Sequence, residues 1–343
     1  MAIAKPALDY YSFDKLLSYN AVYNFVVGAR GYGKTYGAKK IVIRNYLRDR
    51  SQFVYLRRYQ EEIKGKFSFF SDIAQEFPDV AFRINGNEAQ VCRDPSVGEK
   101  NMKWETMGFF VVLANAQSKK GVSYHHVKTI IYDEFIIEKG FLRYLPNEAK
   151  VFNDFYSTVD RWKDKTRVLF LANALTIMNP YFHEYDIAPK RDQEFIKRCD
   201  GFVIAQFPKS QKFIDGVFKT RFGKFIEGTE YAEYSVVNEF HDNNDMMLAA
   251  KPSDAIYRYS LDSEHGTVSV WSVASDPTTW YVQSKRPKKE ILFTLVPEHV
   301  GKGMVYLGYS NKVLQHLRAA YARGYVFFDT ASSRNAFTEV FVR

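Results

Sequence analysis

The run Gly28-Ala-Arg-Gly-Tyr-Gly-Lys-Thr35 has the residue types and spacing that suit a phosphate chain. Gly28, Gly31 and Gly33 let backbone N–H groups come close to phosphate oxygens, Lys34 can reach the β- and γ-phosphates, and the Thr35 hydroxyl can contribute to Mg2+. Arg30, inside the loop, is a further cation able to act on the same nucleotide. About a hundred residues on, Ile130-Ile-Tyr-Asp-Glu134 ends an apolar run in two carboxylates. Asp133, at the carboxyl edge of a strand, is placed to hold Mg2+ beside the phosphates. Glu134 is placed to orient or deprotonate the attacking water, which favours hydrolysis over group transfer. A third apolar run ends at Ala172-Asn173-Ala174, so that Asn173 can sense the γ-phosphate from a neighbouring strand. ATP and Mg2+ are therefore the expected cofactors. A GTPase would need Asn-Lys-x-Asp, and Asn311-Lys312 continues instead as Val-Leu.

Phosphoryl transfer gains from a cation in the transition state, which in ring motors often comes from the adjacent subunit. Arg161, exposed at a helix end, is the first candidate, and Lys120, in Ser118-Lys-Lys-Gly121, is the second. A protein that moves along DNA grips it through sequence-independent phosphate contacts, best made by lysines on loops. Lys64 and Lys66 fit that role in the basic, aromatic stretch that follows the second strand.

The elements that must position these residues are legible in the pattern. Ala21–Val27 reads as a strand running into the glycine loop, and Lys34–Leu47 as the helix after it. Gln52–Arg58 reads as a second strand, and Val80–Ile84 with Ala89–Cys92 as a hairpin around Asn85-Gly86-Asn87. Phe109–Leu113, Thr129–Tyr132 and Arg167–Leu171 have the β-rich character of buried parallel strands. Asn147–Lys163 reads as a helix with Phe152, Phe155, Val159 and Trp162 on its sheet-facing side. The fold class expected is α/β: a P-loop ATPase domain with a mainly parallel sheet at 1–200, a linker at 201–228, and a small α+β domain at 229–343.

A chain of 343 residues accommodates two such domains. Its 46% hydrophobic content contains no apolar run near the roughly 20 residues of a membrane span, so no membrane partner is expected. The net charge of +9 favours a polyanionic partner without choosing among DNA, RNA and acidic surfaces. Cys92 and Cys199 are too few for a metal cluster and read as ordinary thiols in a reducing compartment.

Six segments together carry a more specific resemblance: Asn24-Phe-Val-Val-Gly-Ala-Arg-Gly-Tyr-Gly-Lys-Thr35, Phe53-Val-Tyr-Leu-Arg-Arg-Tyr59, Ala74-Gln-Glu-Phe-Pro-Asp79, Thr129-Ile-Ile-Tyr-Asp-Glu-Phe135, Asn179-Pro-Tyr-Phe182 and Thr220-Arg-Phe-Gly223. The chain through about Tyr234 resembles the DNA-packaging ATPases of phi29-like bacteriophages, P-loop ASCE proteins related to large terminases. The resemblance implies an ATP-driven translocase that pumps double-stranded DNA into a procapsid. It implies a homo-oligomeric ring, pentameric in the family, docked on the phage portal or connector in the host cytoplasm, and it allows a structural packaging RNA as a further partner. By position it gives Lys34 and Thr35 the nucleotide and Mg2+ contacts, Asp133 the metal, Glu134 hydrolysis, and Arg161 and Lys120 trans-acting roles. Between the second strand and Phe77 the chain departs from the family pattern.

The second domain corresponds in large terminases to an RNase H-like nuclease, whose two-metal chemistry needs convergent carboxylates. Asp262, Asp276 and Asp329 fall at or after strand-like runs without a close acidic cluster, so this domain reads as a vestigial RNase H-like fold without nuclease activity. The rivals are a large terminase with a working nuclease and a basic scaffold that merely binds nucleotide and DNA.

Overall fold

The computed structural model describes residues 8–119, 124–137, 143–175, 179–187, 189, 193–238, 248–263, 266–289, 291–301, 303–308, 310–330, 333–334 and 336–337. The chain divides into two compact units, Met1–Asp242 and Asn243–Arg343.

In the first unit α1 (Asp14–Leu17) leads to β1 (Tyr23–Val27), a strand buried at every residue. The glycine loop follows and opens α2 (Lys34–Asp49). Gly31 and Gly33 have φ of 74° and 89°, a left-handed backbone that a side chain would strain. Arg50 ends α2 by donating its N–H to the Tyr46 carbonyl. Next come β2 (Gln52–Arg57), the single turn α3 (Gln60–Ile63), the hairpin strands β3 (Ala81–Asn85) and β4 (Glu88–Cys92), β5 (Glu105–Val112) and β6 (Val127–Asp133). After them run α4 (Glu148–Asp160), β7 (Arg167–Ala172), α5 (Pro180–Glu184), β8 (Phe195–Arg198) and β9 (Val203–Gln206). The helices α6 (Gln211–Phe218), α7 (Arg221–Ile226) and α8 (Glu230–Ser235) close the unit, each N-capped by a hydroxyl, from Ser210, Thr220 and Thr229.

These strands form one sheet in the order β3-β4-β5-β2-β6-β7-β1-β9-β8. Neighbours from β5 through β9 are parallel, and β3, β4 and β8 add antiparallel edges. The mainly parallel α/β expectation therefore holds. The strand β7 sits between β1 and β6, so the strand that runs into Asn173 separates the glycine-loop strand from the carboxylate strand. Alternation along each strand sends residues to two apolar layers. Phe25, Ile130, Tyr132 and Phe170 face Phe152, Phe155 and Val159 of α4, whereas Val26, Phe53, Ile131 and Leu169 face Ala38, Val42 and Ile43 of α2.

Two sequence expectations change here. Trp162 is not part of the α4 core face: the helix ends at Asp160, and Trp162 is 93% exposed in a left-handed turn. The boundaries expected at 200 and 228 also move. The strand β9 pairs with β1 inside the sheet, and Asn238 donates to the carbonyls of Val27 and Pro208, so the first unit keeps the segment read as a linker and ten residues beyond it.

The second unit contains β10 (Ile256–Ser263), β11 (Gly266–Val273), β12 (Asp276–Gln283), β13 (Leu292–Thr294), β14 (Met304–Tyr306), α9 (Lys312–Ala322) and β15 (Val326–Phe328). Its sheet order is β14-β13-β10-β11-β12-β15. Leu314 and Leu317 of α9 pack with Leu261, Val270, Val282 and Phe328, a small α+β core.

Candidate nucleotide site

The carboxyl ends of β1, β6 and β7 converge on a cleft of about 870 Å3 lined by residues 30–37 of the loop and helix, Asp133, Glu134 and Asn173. That volume lies in the range of small-molecule sites. Lys34 is buried and its ammonium donates to the carbonyls of Gly28 at 2.8 Å and Ala29 at 2.7 Å and to Asn173 Oδ1 at 3.1 Å. Burial lowers its pKa to about 8, with Asp133 opposing the shift and Arg30 adding to it. An ammonium whose charged form is disfavoured by burial gains from a nearby anion.

Thr35 Oγ1 lies 3.2 Å from both carboxylate oxygens of Asp133. Alternation explains the meeting: Thr129, Ile131 and Asp133 share the face that α2 covers. Burial raises the Asp133 pKa against the pull of Arg57 and the hydrogen bond from Tyr55. Hydroxyl and carboxylate side by side, with a carboxylate that gains from added positive charge, fit Mg2+. Gly28, Gly31, Gly33, Lys34 and Thr35 with Asp133 fit a metal-bound triphosphate.

Glu134 follows Asp133 in a left-handed conformation, φ 57°, and its side chain is 59% exposed toward the cleft. The guanidinium of Arg57 holds the Glu134 carboxylate, lies 3.4 Å from Glu62 Oε1, and reaches within 3.8 Å of Asp133. Tyr55 donates to Asp133 Oδ2 at 2.7 Å. Neither Tyr55 nor Arg57 stood out in the sequence reading, although the quoted segment Phe53–Tyr59 contains both. Alternation alone puts positions 53, 55 and 57 on one face of β2, but that this is the face of Asp133 follows from the pairing of β2 with β6.

Arg58 points to the opposite face and is fully buried. It makes a two-pronged pair with Glu148, Nε–Oε2 2.7 Å and Nη2–Oε1 2.9 Å, and donates to the Phe135 carbonyl at 2.7 Å. Glu148 also accepts from Tyr132, Tyr181 and the Leu145 N–H, so the first turn of α4 is fastened to the strand that carries Glu134.

The remaining sequence candidates are distributed differently. Arg30 lines the cleft, and its N–H donates to the Ser235 carbonyl of α8 at 2.8 Å. Arg161 is at the far end of α4, roughly 20 Å along the helix axis from Glu148 at 1.5 Å per residue, beside the amino-terminal edge of the sheet. The glycine loop of the same chain, after β1, is at the other edge. Lys120 lies outside the described residues. Lys64 is exposed in a 3-10 turn, whereas Lys66 is half-buried and donates to Asn87 Oδ1 of the β3–β4 hairpin. The segment that carries them folds back on the domain, burying Phe69, Phe70 and Ile73. In the second unit Asp262 accepts from Thr267, Thr294 and His299, Asp276 from Thr278 and Thr279, and Asp329 from Ser284.

The chain resembles known proteins over nearly its whole length. Residues 6–343 match the family model of the podovirus DNA encapsidation protein (Gp16). The DNA packaging protein of Bacillus phage phi29 is 31% identical over 334 residues, 97% of each chain. The solved bacteriophage Phi-29 viral genome packaging motor assembly aligns with a TM-score of 0.75 at 31% identity, covering 97% of this chain and 98% of that one. The crystal structure of the N-terminal domain of the phi29 DNA packaging ATPase aligns with a TM-score of 0.53 at 34% identity, over 60% of this chain and 98% of that one. The chain belongs to the podovirus DNA encapsidation (Gp16) family, the DNA packaging proteins of phi29-type phages.

Proposed function

We propose that this chain is the ATP-driven double-stranded DNA translocase of a phage packaging motor. The observation that carries the reading is the convergence of Lys34, Thr35, Asp133, Glu134 and Asn173 in one cleft of a DNA encapsidation protein. The loop N–H groups and Lys34 bind the triphosphate. Thr35 and Asp133 hold Mg2+, which when bound neutralises phosphate charge. Asn173, already on the Lys34 ammonium, would sense the γ-phosphate. Glu134 orients the attacking water and takes its proton once its carboxylate leaves Arg57.

Arg161 is on the wrong edge of the sheet for its own nucleotide, which supports a trans role in a ring, each copy completing the next copy's site. In this reading Lys64 and Lys66 contact the DNA backbone, the portal or connector holds the ring on the procapsid, and the second unit cuts no DNA. The hydrogen bonds that occupy Asp262, Asp276 and Asp329 separately support the last point.

The deciding experiment is ATP-dependent packaging of DNA into purified procapsids. Glu134→Gln is expected to keep ATP binding and to lower turnover at least a hundredfold; full hydrolysis by that variant would sink the assignment. Mixing Arg161→Ala with wild type is expected to depress activity more than in proportion, and simple dilution would argue against a shared site.

A further inference from the structure

Glu134 has a conformation that its strand does not give it. Extended backbone beyond Asp133 would alternate, sending residue 134 to the face of Tyr132, under α4 and away from the cleft. Instead Glu134 bends with φ 57°, and its side chain stays on the cleft side with Arg57. A glutamate holds a left-handed backbone only where its surroundings over-determine it. Two contacts do so here. The Phe135 N–H donates to the Leu171 carbonyl of β7 at 3.3 Å, and the Arg58 guanidinium donates to the Phe135 carbonyl at 2.7 Å and lies 3.4 Å from the Glu134 carbonyl.

We infer that Arg58, held by Glu148, is the positioning residue for the water-activating carboxylate: it fixes the Glu134 backbone from the α4 side of the sheet. The neighbours Arg57 and Arg58 then divide one glutamate between them, Arg57 holding its carboxylate and Arg58 its main chain. Burial argues for the role. Arg58 and Glu148 have no exposed side-chain surface, and a buried ion pair adds little stability over apolar residues of the same volume. What the pair adds is direction. Glu148 occupies two prongs of the guanidinium and itself accepts from Tyr132, Tyr181 and the Leu145 N–H, so the fork is held in one orientation, aimed at the two carbonyls. Tyr144 and Tyr132 flank it, their ring centroids 5.0 and 5.7 Å from the guanidinium carbon. Glu148 has a second effect. It neutralises a buried cation on the face to which Glu134 would otherwise turn, so the Glu134 carboxylate is not drawn out of the cleft when it leaves Arg57.

The inference rests on Glu134 being the hydrolytic carboxylate, as proposed above, and its test separates the two. Full-length protein carrying Arg58→Met and Glu148→Gln together is compared with wild type in MgATP hydrolysis and in equilibrium binding of a fluorescent ATP analogue. Removing both charges leaves neither buried alone, and the new amide oxygen can still accept from Tyr132 and Tyr181. Analogue affinity and KM are expected to stay within about threefold of wild type while kcat falls roughly tenfold or more, because the phosphate contacts are untouched. In a Glu134→Gln background the same two substitutions are expected to change the residual turnover by less than about twofold, because nothing is left to position. Wild-type kcat in the folded double variant, or the same fractional loss in both backgrounds, overturns the inference and leaves the pair a purely structural one. Should circular dichroism show the double variant unfolded, Arg58→Lys carries the same comparison: it keeps a charge beside Glu148 and lacks the fork that reaches the Phe135 carbonyl. If Glu134→Gln alone hydrolyses ATP at the full rate, the catalytic assignment falls and the positioning role with it. If Glu134→Gln is inactive while the Arg58 variants turn over normally, the assignment stands and the positioning role falls.

Discussion

At the scale of single residues, several carboxylates in this protein have distinct tasks set by their surroundings. Asp133 is buried and pushed up, Glu134 is exposed and held by Arg57, Glu148 is sealed against Arg58, and Asp160 organises a turn. For Asp160, burial raises the pKa, but the backbone donors of Lys165, Asp164 and Thr166 outweigh it and leave the net value below the ordinary carboxylate range. The folded state therefore binds that proton less readily than the unfolded chain. Its contribution to stability is complete above the unfolded pKa of about 3.9 and is lost as pH falls through the lower folded value. Asp160→Ala is expected to cost about 2–3 kcal/mol at neutral pH, read by urea denaturation, with the difference from wild type shrinking toward pH 3. A constant difference across that range would show that charge is not the cause.

At the scale of elements, β2 is the hinge of the site. Its alternation delivers Tyr55 and Arg57 to the α2 side and Arg58 to the α4 side, so one strand ties the carboxylates to both layers. Removing one partner of the buried pair leaves the other charge without compensation. Glu148→Ala is expected to destabilise the first unit by about 3–5 kcal/mol in chemical denaturation, far more than the exposed pair of Lys15 and Glu194 would cost. Packing of β2 on β5 is equally tight. A Cβ on Gly108 would come within 2.5–2.7 Å of three ring carbons of Phe53, a side chain with no exposure through which to retreat. Gly108→Ala is expected to cost about 1–3 kcal/mol, and an unchanged melting temperature would contradict the close approach.

At the scale of the whole molecule, the first unit is closed by the segment after 200. The strand β9 covers the outer edge of β1, Tyr11 donates to Gln206, and Ser235 and Asn238 brace the backbone of the nucleotide loop and its strand. A fragment of residues 1–242 is expected to unfold in one cooperative step and to bind ATP with the affinity of the full chain. A fragment of residues 1–200 loses β9, exposing the edge of a buried strand and leaving β8 without a partner. It is expected to be poorly soluble and to bind no nucleotide, as measured by soluble yield and equilibrium binding. Equal binding by the two fragments would show that the closing segment contributes nothing to the site.

What the sequence determined by itself was local structure around the candidate site: the glycine loop from Gly28 to Thr35, the pair Asp133-Glu134 at the end of an apolar run, and Asn173 at the end of another. Strand, turn and helix there follow from spacing and from glycine's backbone freedom, both local properties. Phe152, Phe155 and Val159 were equally legible as the buried stripe of α4, because helical periodicity needs no knowledge of the partner. The stripe's extension to Trp162 failed because periodicity cannot see where a helix stops, and Asp160 stops this one with contacts to four later N–H groups. The boundary at 200 failed because β9 is short and its partner β1 is some 180 residues earlier. Only the tertiary structure assigned Tyr55 and Arg57 to the carboxylates, Arg58 to Glu148, and Asn238 to the nucleotide strand. Those contacts join positions 76 to 211 residues apart, and strand order, which no local pattern encodes, decides which of them meet.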